Sequence, residues 1–377
     1  MLVTADAGPA TSVGHLWLTD FRCLHEIDIE LASGLTVLQG ANGQGKTSLL
    51  EAVGWVARAR SFRGVSDAML VRSGAAEAIV RAEVTTGGRQ QLFEAEIRVA
   101  GRNRVLCNRQ PVTRSRDLHG LLRVTVFAPD DLTLVKGGPS ERRGYLDELL
   151  AMLAARYDAA RSDFERVLKQ RNALLRSGVR DEDARFTLDV FDEQLVHAGA
   201  ELTRGRLRLL ERLVPTIANA YEMLAHDARP ITATYMTESS PVALSAAEAD
   251  NVEGFLREAL ARRRGAEIDR GLTLVGPHRD ELQLMIDGLD ARHQASQGDQ
   301  RTLALALRLA GHMVVRELAG AAPVLLLDDV FSELDAQRAA ALVENLPPGQ
   351  TLLTTAGTLP PDVVAQRTIV VRGGRIE

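Results

Sequence analysis

The sequence predicts an α/β fold of mixed sheets and helices, interrupted by a mainly helical insertion. Two apolar strands indicate the fold class, because a Gly-rich loop follows the first and a pair of carboxylates follows the second. Between them, residues 139–224 contain few glycines and keep an apolar stripe at three-, four- and seven-residue steps, as amphipathic helices do. Strand patterns on both sides of this stretch indicate one α/β domain that is split by an insertion.

The domain boundaries follow from these changes in pattern. Residues 1–13 are small and polar, and we expect a flexible tail there. We expect the N-terminal half of the α/β domain in residues 14–138 and its C-terminal half in residues 271–377. The mainly helical insertion, or lid, would occupy residues 139–270.

The C-terminal half reads as a series of short strands with one long helix. Apolar segments predict strands over residues 272–275 and 282–286. A helix predicted over residues 298–318 leads to a buried strand over residues 323–329.

Composition restricts the class of protein. With 45% hydrophobic and 25% charged residues, the chain is typical of soluble globular proteins. Its apolar runs are too short to cross a bilayer, and Cys23 and Cys107 are too few for a disulfide framework. We therefore expect a cytoplasmic protein without a membrane partner.

Charge leaves nucleic-acid binding open. The formal net charge of −5 does not by itself indicate a nucleic-acid-binding protein. Arginines nevertheless cluster, and such clusters are either solvated surface or local phosphate-binding patches. The clustered residues are Arg102, Arg104, Arg109, Arg114 and Arg116, followed later by Arg262, Arg263 and Arg264.

The first candidate site is a phosphate-binding loop. An apolar strand over residues 35–39 and a helix over residues 48–59 flank the sequence Gly-x-x-x-x-Gly-Lys-Thr. Glycines let backbone N–H groups turn towards phosphate oxygens, and the helix N-terminus adds its positive dipole. Lys46 would reach the β- and γ-phosphates of ATP, and the hydroxyl of Thr47 would ligate Mg²⁺. The residues predicted to bind the nucleotide are Gly40, Ala41, Asn42, Gly43, Gln44, Gly45, Lys46 and Thr47.

The second candidate site ends the later apolar strand, where Asp328 and Asp329 follow four aliphatic residues. Asp328 would hold Mg²⁺ opposite Thr47. Asp329 stands where the base or orienting group for the attacking water belongs, and is the predicted catalytic residue.

Two further motifs decide the class of ATPase. Residues 296–300, Ser-Gln-Gly-Asp-Gln, open a helix and resemble the signature motif of ABC-type ATPases, which serves the nucleotide of the opposite subunit. A hydroxyl, backbone N–H groups and a helix dipole suit a γ-phosphate, so Ser296, Gly298 and Gln300 are further candidates for nucleotide binding. Residues 331–335, Phe-Ser-Glu-Leu-Asp, resemble the D-loop of the same superfamily.

With these motifs in order, nearly the whole chain resembles the RecF family of bacterial recombination mediators. Two positions depart from the family pattern, since Glu281 stands in place of Asp and Asp299 in place of Gln. Motifs outside the nucleotide site also support the resemblance: Asp20-Phe21-Arg22, Arg60-Ser61-Phe62-Arg63, Phe127-Ala128-Pro129-Asp130-Asp131-Leu132, Pro139-Ser140-Glu141-Arg142-Arg143, Asp192-Glu193-Gln194-Leu195 and Val275-Gly276-Pro277-His278-Arg279-Asp280.

The resemblance implies an ABC-type ATPase head that is related to SMC heads but has no long coiled coil. It further implies an ATP-dependent homodimer on single-stranded, gapped or junction DNA, with slow, DNA-stimulated hydrolysis used as a switch. The implied role is in DNA replication and recombinational DNA repair, including gap repair and the SOS response. RecR and RecO would be the partners, and RecA would be the protein delivered to DNA.

Two other classes share part of this pattern. An ATPase subunit of a transporter, or of another SMC-like machine, would carry the same four motifs. Transporter subunits usually have Glu at the position of Asp329, and a His where this chain has residues 354–357, Thr-Thr-Ala-Gly. A P-loop kinase or transferase would not require Ser296 and Gly298, or a D-loop.

Overall fold

Strands and helices alternate through the described part of the chain. The computed structural model describes residues 11–112, 118, 122–238, 240, 243–332, 334–357 and 363–377. The strands, in chain order, are β1 (Ser12–Phe21), β2 (Leu24–Glu30), β3 (Leu35–Gln39), β4 (Glu77–Thr86), β5 (Arg89–Arg98), β6 (Arg104–Cys107), β7 (Gln110–Pro111), β8 (Val124–Phe127), β9 (Ile231–Met236), β10 (Glu281–Ile286), β11 (Leu289–Asp290), β12 (Val324–Leu327), β13 (Thr351–Thr355), β14 (Arg367–Arg372) and β15 (Arg375–Ile376). The helices are α1 (Lys46–Arg58), α2 (Thr133–Lys136), α3 (Pro139–Leu153), α4 (Ala155–Ser177), α5 (Glu182–Ala225), α6 (Val252–Arg270), α7 (Gln297–Ala319) and α8 (Ala336–Glu344).

The described strands form three sheets. The first, of order β2-β1-β4-β5-β6-β7, is antiparallel. In the second, of order β15-β14-β3-β13-β12-β8, the strands from β14 to β8 run parallel and β15 returns antiparallel to β14. The third is a small antiparallel sheet of order β11-β10-β9. Mixed sheets with helices confirm the predicted α/β class. Of the helices in the described ranges, none has both the length and the apolar character of a membrane span.

The chain divides into two compact units. The first contains the N-terminal part of the chain as far as Asp131, residues Met223–His226 and residues Leu305–Glu377, and it holds both six-stranded sheets. The second contains Leu132–Glu222 and Asp227–Ala304, with the helical segment and the three-stranded sheet. Residues 271–304, which the sequence pattern places in the α/β domain, therefore group with the helices. The reason is strand pairing, because β10 adds to β9.

In the first unit, α1 is buried along most of its length. Its apolar residues share one core with residues of both large sheets, among them Trp55 of the helix, Val80 of β4 and Leu326 of β12. Because the helix is buried on all sides, its apolar residues are spread around the helix and are not confined to one amphipathic stripe. The helix begins at Lys46, two residues before the predicted start.

A buried carboxylate in α1 is neutralised by residues from two of the family-like motifs. Glu51 is 0% exposed and accepts hydrogen bonds from Arg22 Nε at 2.8 Å and Arg22 Nη2 at 2.9 Å. The hydroxyl of Ser61 also donates to Glu51. An isolated buried charge is costly, so these contacts fix the position of α1 and of the loop that precedes it.

The long helix α5, which belongs to the second unit as far as Glu222, confirms the predicted apolar stripe. Its stripe residues are all nearly inaccessible to solvent, and they are Leu195, Leu202, Leu209, Leu213, Ile217, Tyr221 and Leu224. Polar networks tie the helices of this unit together. Arg206 of α5 is buried and contacts both carboxylate oxygens of Asp147 at 2.8 and 2.9 Å.

The motif at residues 275–280 belongs to this same buried network. The carbonyl of Pro277 accepts a hydrogen bond from Arg206 at 2.8 Å, and Asp280 accepts one from the hydroxyl of Tyr235 at 2.6 Å. Burial lowers the pKa of His278 to about 4, so this imidazole is neutral at physiological pH. These contacts give the motif a role in packing.

Three details differ from the sequence expectations or fall outside the described residues. Residues 12 and 13, predicted as part of the tail, lie in β1, and Val13 is fully buried. The predicted strand over residues 272–275 is wrong, because the backbone N–H groups of Thr273 and Leu274 donate to side chains of Asn172 and Glu267. Thr11 is also buried, and the remaining residues of the predicted tail, 1–10, lie outside the described residues.

Several of the clustered arginines face carboxylates in the described residues. In the second cluster each arginine faces a carboxylate, through the pairs Arg262–Glu258, Arg263–Glu238, Arg264–Asp189 and Arg264–Asp192. In the first cluster, Arg104 lies 3.6 Å from Glu96. Arg114 and Arg116 lie outside the described residues.

The most buried ion pair of the second unit provides a test of the fold. Arg171 is 0% exposed and contacts Glu267, also 0% exposed, at 2.6 Å. We predict that Arg171→Met lowers the free energy of unfolding by about 3–5 kcal/mol, because it leaves a buried carboxylate without its partner. Urea unfolding followed by circular dichroism would measure the loss.

The matched control is Arg166→Met on the same helix, since Arg166 pairs with the exposed Asp163. That change should cost less than about 1 kcal/mol. Combining Arg171→Met with Glu267→Gln should recover part of the lost stability. Equal destabilisation by the two arginine substitutions would contradict the importance of the buried pair.

Candidate nucleotide-binding site

The order of strands in the second sheet brings the two candidate sites together. β3, β13 and β12 are parallel neighbours, with β13 in the middle. The carboxyl ends of parallel strands lie at the same edge of a sheet, which is where ligands bind in open α/β folds. The predicted phosphate-binding loop follows β3, and Asp328 and Asp329 follow β12.

Glycines of the loop occupy positions that a side chain could not. A Cβ atom on Gly40 would lie 2.2 Å from the carbonyl oxygen of Val371 in β14. Gly45 has a φ of 107°, and a Cβ there would lie 2.7 Å from Leu24 Cδ2. The loop therefore depends on glycine for close approach at one end and for a left-handed conformation at the other.

The ammonium of Lys46 lies inside the curve of the loop. Its Nζ donates hydrogen bonds to the carbonyl oxygens of Gly40 at 2.6 Å and Ala41 at 2.9 Å. Burial lowers the pKa of Lys46, while the negative charges of Asp329 and Asp328 act to raise it. An ammonium on a flexible side chain, placed beside the start of a helix, can donate hydrogen bonds to the oxygens of a phosphate chain.

The remaining loop residues divide into an exposed tip and a supported base. Ala41, Asn42 and Gly43 are exposed, and their backbone is accessible to a ligand. Gln44 instead supports the hairpin between β14 and β15. Its side-chain Oε1 accepts a hydrogen bond from Gly373 N at 2.5 Å, and its carbonyl accepts one from Gly374 N at 3.2 Å.

Asp328 meets Thr47 at the centre of the site. The Thr47 hydroxyl donates to Asp328 Oδ1 at 2.7 Å, and the Thr354 hydroxyl donates to the same oxygen at 2.8 Å. Burial raises the pKa of Asp328, while these two hydrogen bonds and the charge of Arg63 act to lower it. The structure thus joins the two residues that the sequence predicts as metal ligands.

Thr354 is a site residue that sequence reasoning missed. The sequence around it, Thr-Thr-Ala-Gly, carries no motif that predicts a site residue. In the structure, Thr354 lies on the strand between the two predicted sites, and its hydroxyl also accepts a hydrogen bond from Asp329 N at 2.9 Å. Arg63, whose charge acts on Asp328, is a second residue that the sequence did not predict at the site. In the sequence it belongs only to the family-like motif Arg60-Ser61-Phe62-Arg63.

Asp329 begins a tight turn rather than continuing the strand. Its φ of 48° is left-handed. This conformation is uncommon for residues other than glycine, and the residues that adopt it cluster at functional sites. Ser332 stabilises the turn, with its hydroxyl 2.8 Å and its backbone nitrogen 3.1 Å from the Asp329 carbonyl. The predicted D-loop then ends at Asp335, which caps the N-terminus of α8. Glu333 lies outside the described residues.

The predicted signature motif belongs to the second compact unit. Ser296 is exposed and immediately precedes α7. Gln300 is buried, and its side-chain amide donates to the carbonyl oxygens of Ala291 and Arg292, each at 3.0 Å. Its side chain therefore shapes the loop before α7, while Ser296 is exposed and Gly298 is half-buried.

Comparison with known proteins shows the family of this chain. A family model described as RecF/RecN/SMC N terminal domain matches residues 12–353. A protein of Streptomyces avermitilis named DNA replication and repair protein RecF is 46% identical over 374 residues, covering 97% of this chain and 99% of its own.

Solved structures give the same result. A structure described as the recombination mediator protein RecF-ATP in the RecFOR pathway has a TM-score of 0.89 at 28% identity, covering 99% of this chain and 98% of its own. An Smc head domain of Pyrococcus furiosus shares the fold at a TM-score of 0.57 and 16% identity, covering 97% of this chain and 95% of its own. The chain therefore belongs to the RecF family, within the wider RecF/RecN/SMC N-terminal domain family.

Proposed function

We propose that this chain is an ATP-dependent DNA-binding protein of recombinational DNA repair and replication-gap repair. It dimerises on single-stranded, gapped or junction DNA when ATP is bound, and it uses slow, DNA-stimulated hydrolysis as a switch. In the cytoplasm it acts with RecR and RecO to load RecA, and so contributes to the SOS response. The observation that most supports an ATP switch is the contact between Thr47 and Asp328 at 2.7 Å.

The chemistry of the site fits a nucleoside triphosphate. Exposed backbone at the tip of the loop and the ammonium of Lys46 provide donors for phosphate oxygens. One hydroxyl and one carboxylate suit Mg²⁺, which takes few protein ligands and completes its octahedron with water and phosphate oxygens. Thr47 and Asp328 would hold that ion, which would neutralise charge on the phosphates. Asp329, at the start of its turn, would orient the attacking water.

The biological role rests on the relatives. The RecF of Streptomyces avermitilis is named for DNA replication and repair, and the structural relative at 28% identity is described as a recombination mediator in the RecFOR pathway. Identity of 46% over nearly the full length of both chains supports the same role here. The Smc head domains support the fold alone, so a separate role as another ABC-type machine is not favoured.

Sizing the protein with and without nucleotide tests the proposal. Sedimentation velocity with ATP, ADP or no nucleotide, each with and without gapped DNA, should show dimers with ATP and DNA binding by those dimers. DNA affinity should fall with added salt, with a log–log slope of roughly 0.7–0.9 for each phosphate neutralised. DNA binding of equal strength without ATP would remove the switch from the proposal.

We predict that Lys46→Ala abolishes productive ATP binding and, with it, dimerisation. The substitution removes a charge-assisted contact worth roughly 1.5–3 kcal/mol. Calorimetric titration with ATP and sizing of the variant would measure both effects, and Lys136→Ala, outside the loop, is the control. Unchanged affinity and unchanged dimerisation would exclude this loop as the phosphate site.

We predict that Asp329→Asn keeps ATP binding and prolongs the dimer. Asn retains the size of the side chain and removes the charge that would polarise water. Single-turnover release of phosphate should slow by about 100-fold or more, as expected on loss of a general base. Loss of ATP binding in this variant would instead make Asp329 a metal ligand or a structural residue.

We predict that Ser296→Arg spares ATP binding by monomers and blocks dimerisation, since a bulky cation would occupy the γ-phosphate contact of the opposite subunit. Mixing this variant with Lys46→Ala protein leaves one site per heterodimer with both wild-type residues. Weak recovery of ATP-dependent heterodimers is expected, because one closed site supplies part of the coupling energy. Normal dimerisation of Ser296→Arg would exclude a site shared between subunits.

A further inference from the structure

The carboxylate of Asp299 is the centre of a small polar cluster at the start of α7. Its Oδ1 accepts hydrogen bonds from Arg229 Nη2 at 2.5 Å and from the Tyr221 hydroxyl at 3.2 Å. Its Oδ2 accepts hydrogen bonds from the Ser296 hydroxyl at 2.7 Å and from Arg229 Nη1 at 3.3 Å. All four residues belong to the second compact unit.

This cluster engages the hydroxyl of the signature serine. A serine hydroxyl has one proton to donate. In the structure that proton is directed to Asp299, while the oxygen of the hydroxyl accepts a hydrogen bond from Asp299 N at 3.2 Å. To donate to a γ-phosphate, the hydroxyl must turn away from the carboxylate.

The negative charge of Asp299 also opposes an incoming phosphate. The residue lies three positions after Ser296, in the first turn of α7, where an anion would approach the helix N-terminus. Its pKa is lowered to about 2, first by the hydrogen bond from Arg229, so the carboxylate is ionised at neutral pH. Unless a cation compensates it, this charge repels the phosphate that Ser296 is proposed to contact.

Arg229 is placed both to release the Ser296 hydroxyl from Asp299 and to offset the negative charge of that carboxylate. It contacts both oxygens of Asp299, and the two side chains are only 31% and 16% exposed. When the Ser296 hydroxyl turns towards a phosphate, Oδ2 of Asp299 keeps a donor from Arg229. Tyr221 continues to supply a second donor to Oδ1.

We propose that Arg229 is a positioning residue for the signature motif. Its guanidinium, which also lies 2.9 Å from the exposed Asp227, offsets the charge of Asp299 and frees the Ser296 hydroxyl for the nucleotide of the opposite subunit. This inference rests on the proposed function of Ser296. Arg229 lies outside every nucleotide motif, in the segment between α5 and β9.

Sedimentation velocity across a range of ATP concentrations tests the inference on the full-length chain. Arg229→Ala should raise the ATP concentration for half-maximal dimerisation by about tenfold, within the usual range of coupling between sites. ATP binding to monomers, measured with a fluorescent ATP analogue at low protein concentration, should change less than about twofold. Arg257→Ala is the matched control, because Arg257 makes an exposed pair with Glu193 in the same unit. It should dimerise as the wild type does.

If the charge of Asp299 is removed, ATP-dependent dimerisation should no longer depend on Arg229. The ATP dependence of Asp299→Asn should be the same with and without Arg229→Ala, a comparison that stands even if Arg229→Ala alone folds poorly. Raising the salt from about 0.1 M to about 1 M shortens the Debye length from about 10 to about 3 Å, so it should shrink the defect of Arg229→Ala. A defect of packing would not respond to salt in this way.

The outcomes separate this inference from the proposed function. Wild-type dimerisation by Arg229→Ala would overturn the inference alone, as would a defect that persists in the Asp299→Asn background. A wild-type protein that stays monomeric with ATP would overturn the proposed function, and the inference with it. Normal dimerisation of Ser296→Arg would exclude a site shared between subunits, and it would overturn the inference while leaving ATP-dependent dimerisation in place.

Discussion

The hydrogen bond between Thr47 and Asp328 joins residues that are 281 positions apart, and the site depends on it. The bond exists because β13 is inserted between β3 and β12, which aligns the carboxyl ends of three parallel strands. Thr354 of the inserted strand then donates to the same oxygen of Asp328. A shift in the order or register of these strands would separate the phosphate loop from the carboxylates, whatever the motifs were.

Buried charge gives several polar residues outside the nucleotide site a structural role. Glu51 is neutralised by Arg22, and Arg206 by Asp147, in positions that are almost inaccessible to solvent. Removing one partner of such a pair is far more costly than removing an exposed pair. Glu281 illustrates the tolerance of these networks, since the longer side chain found in place of Asp contacts Arg142 through both oxygens, at 2.8 and 2.7 Å.

The signature motif and the phosphate loop both contain residues that stabilise neighbouring backbone, in addition to any contact with ATP. Gln44 supports the hairpin that follows β14, and Gln300 shapes the loop before α7. The Gln300 amide satisfies the carbonyl of the buried Ala291, which would otherwise lose a hydrogen bond on burial, whereas Gln44 holds the exposed backbone of Gly373. A motif therefore predicts the backbone segment that faces a ligand more reliably than it predicts the side chains that contact the ligand.

By itself, the sequence determined the α/β class, the positions of the predicted phosphate loop and carboxylate pair, and the apolar stripe that α5 carries, because these depend on local spacing and hydrophobic period. Only the tertiary structure decided that Thr354 joins the site, that residues 272–275 form no strand and that residues 271–304 group with the helical unit. It alone also brought Arg229 to Asp299 across 70 positions. The physical reason is that strand order and buried polar partners are set by long-range packing, which leaves no periodic trace in the chain.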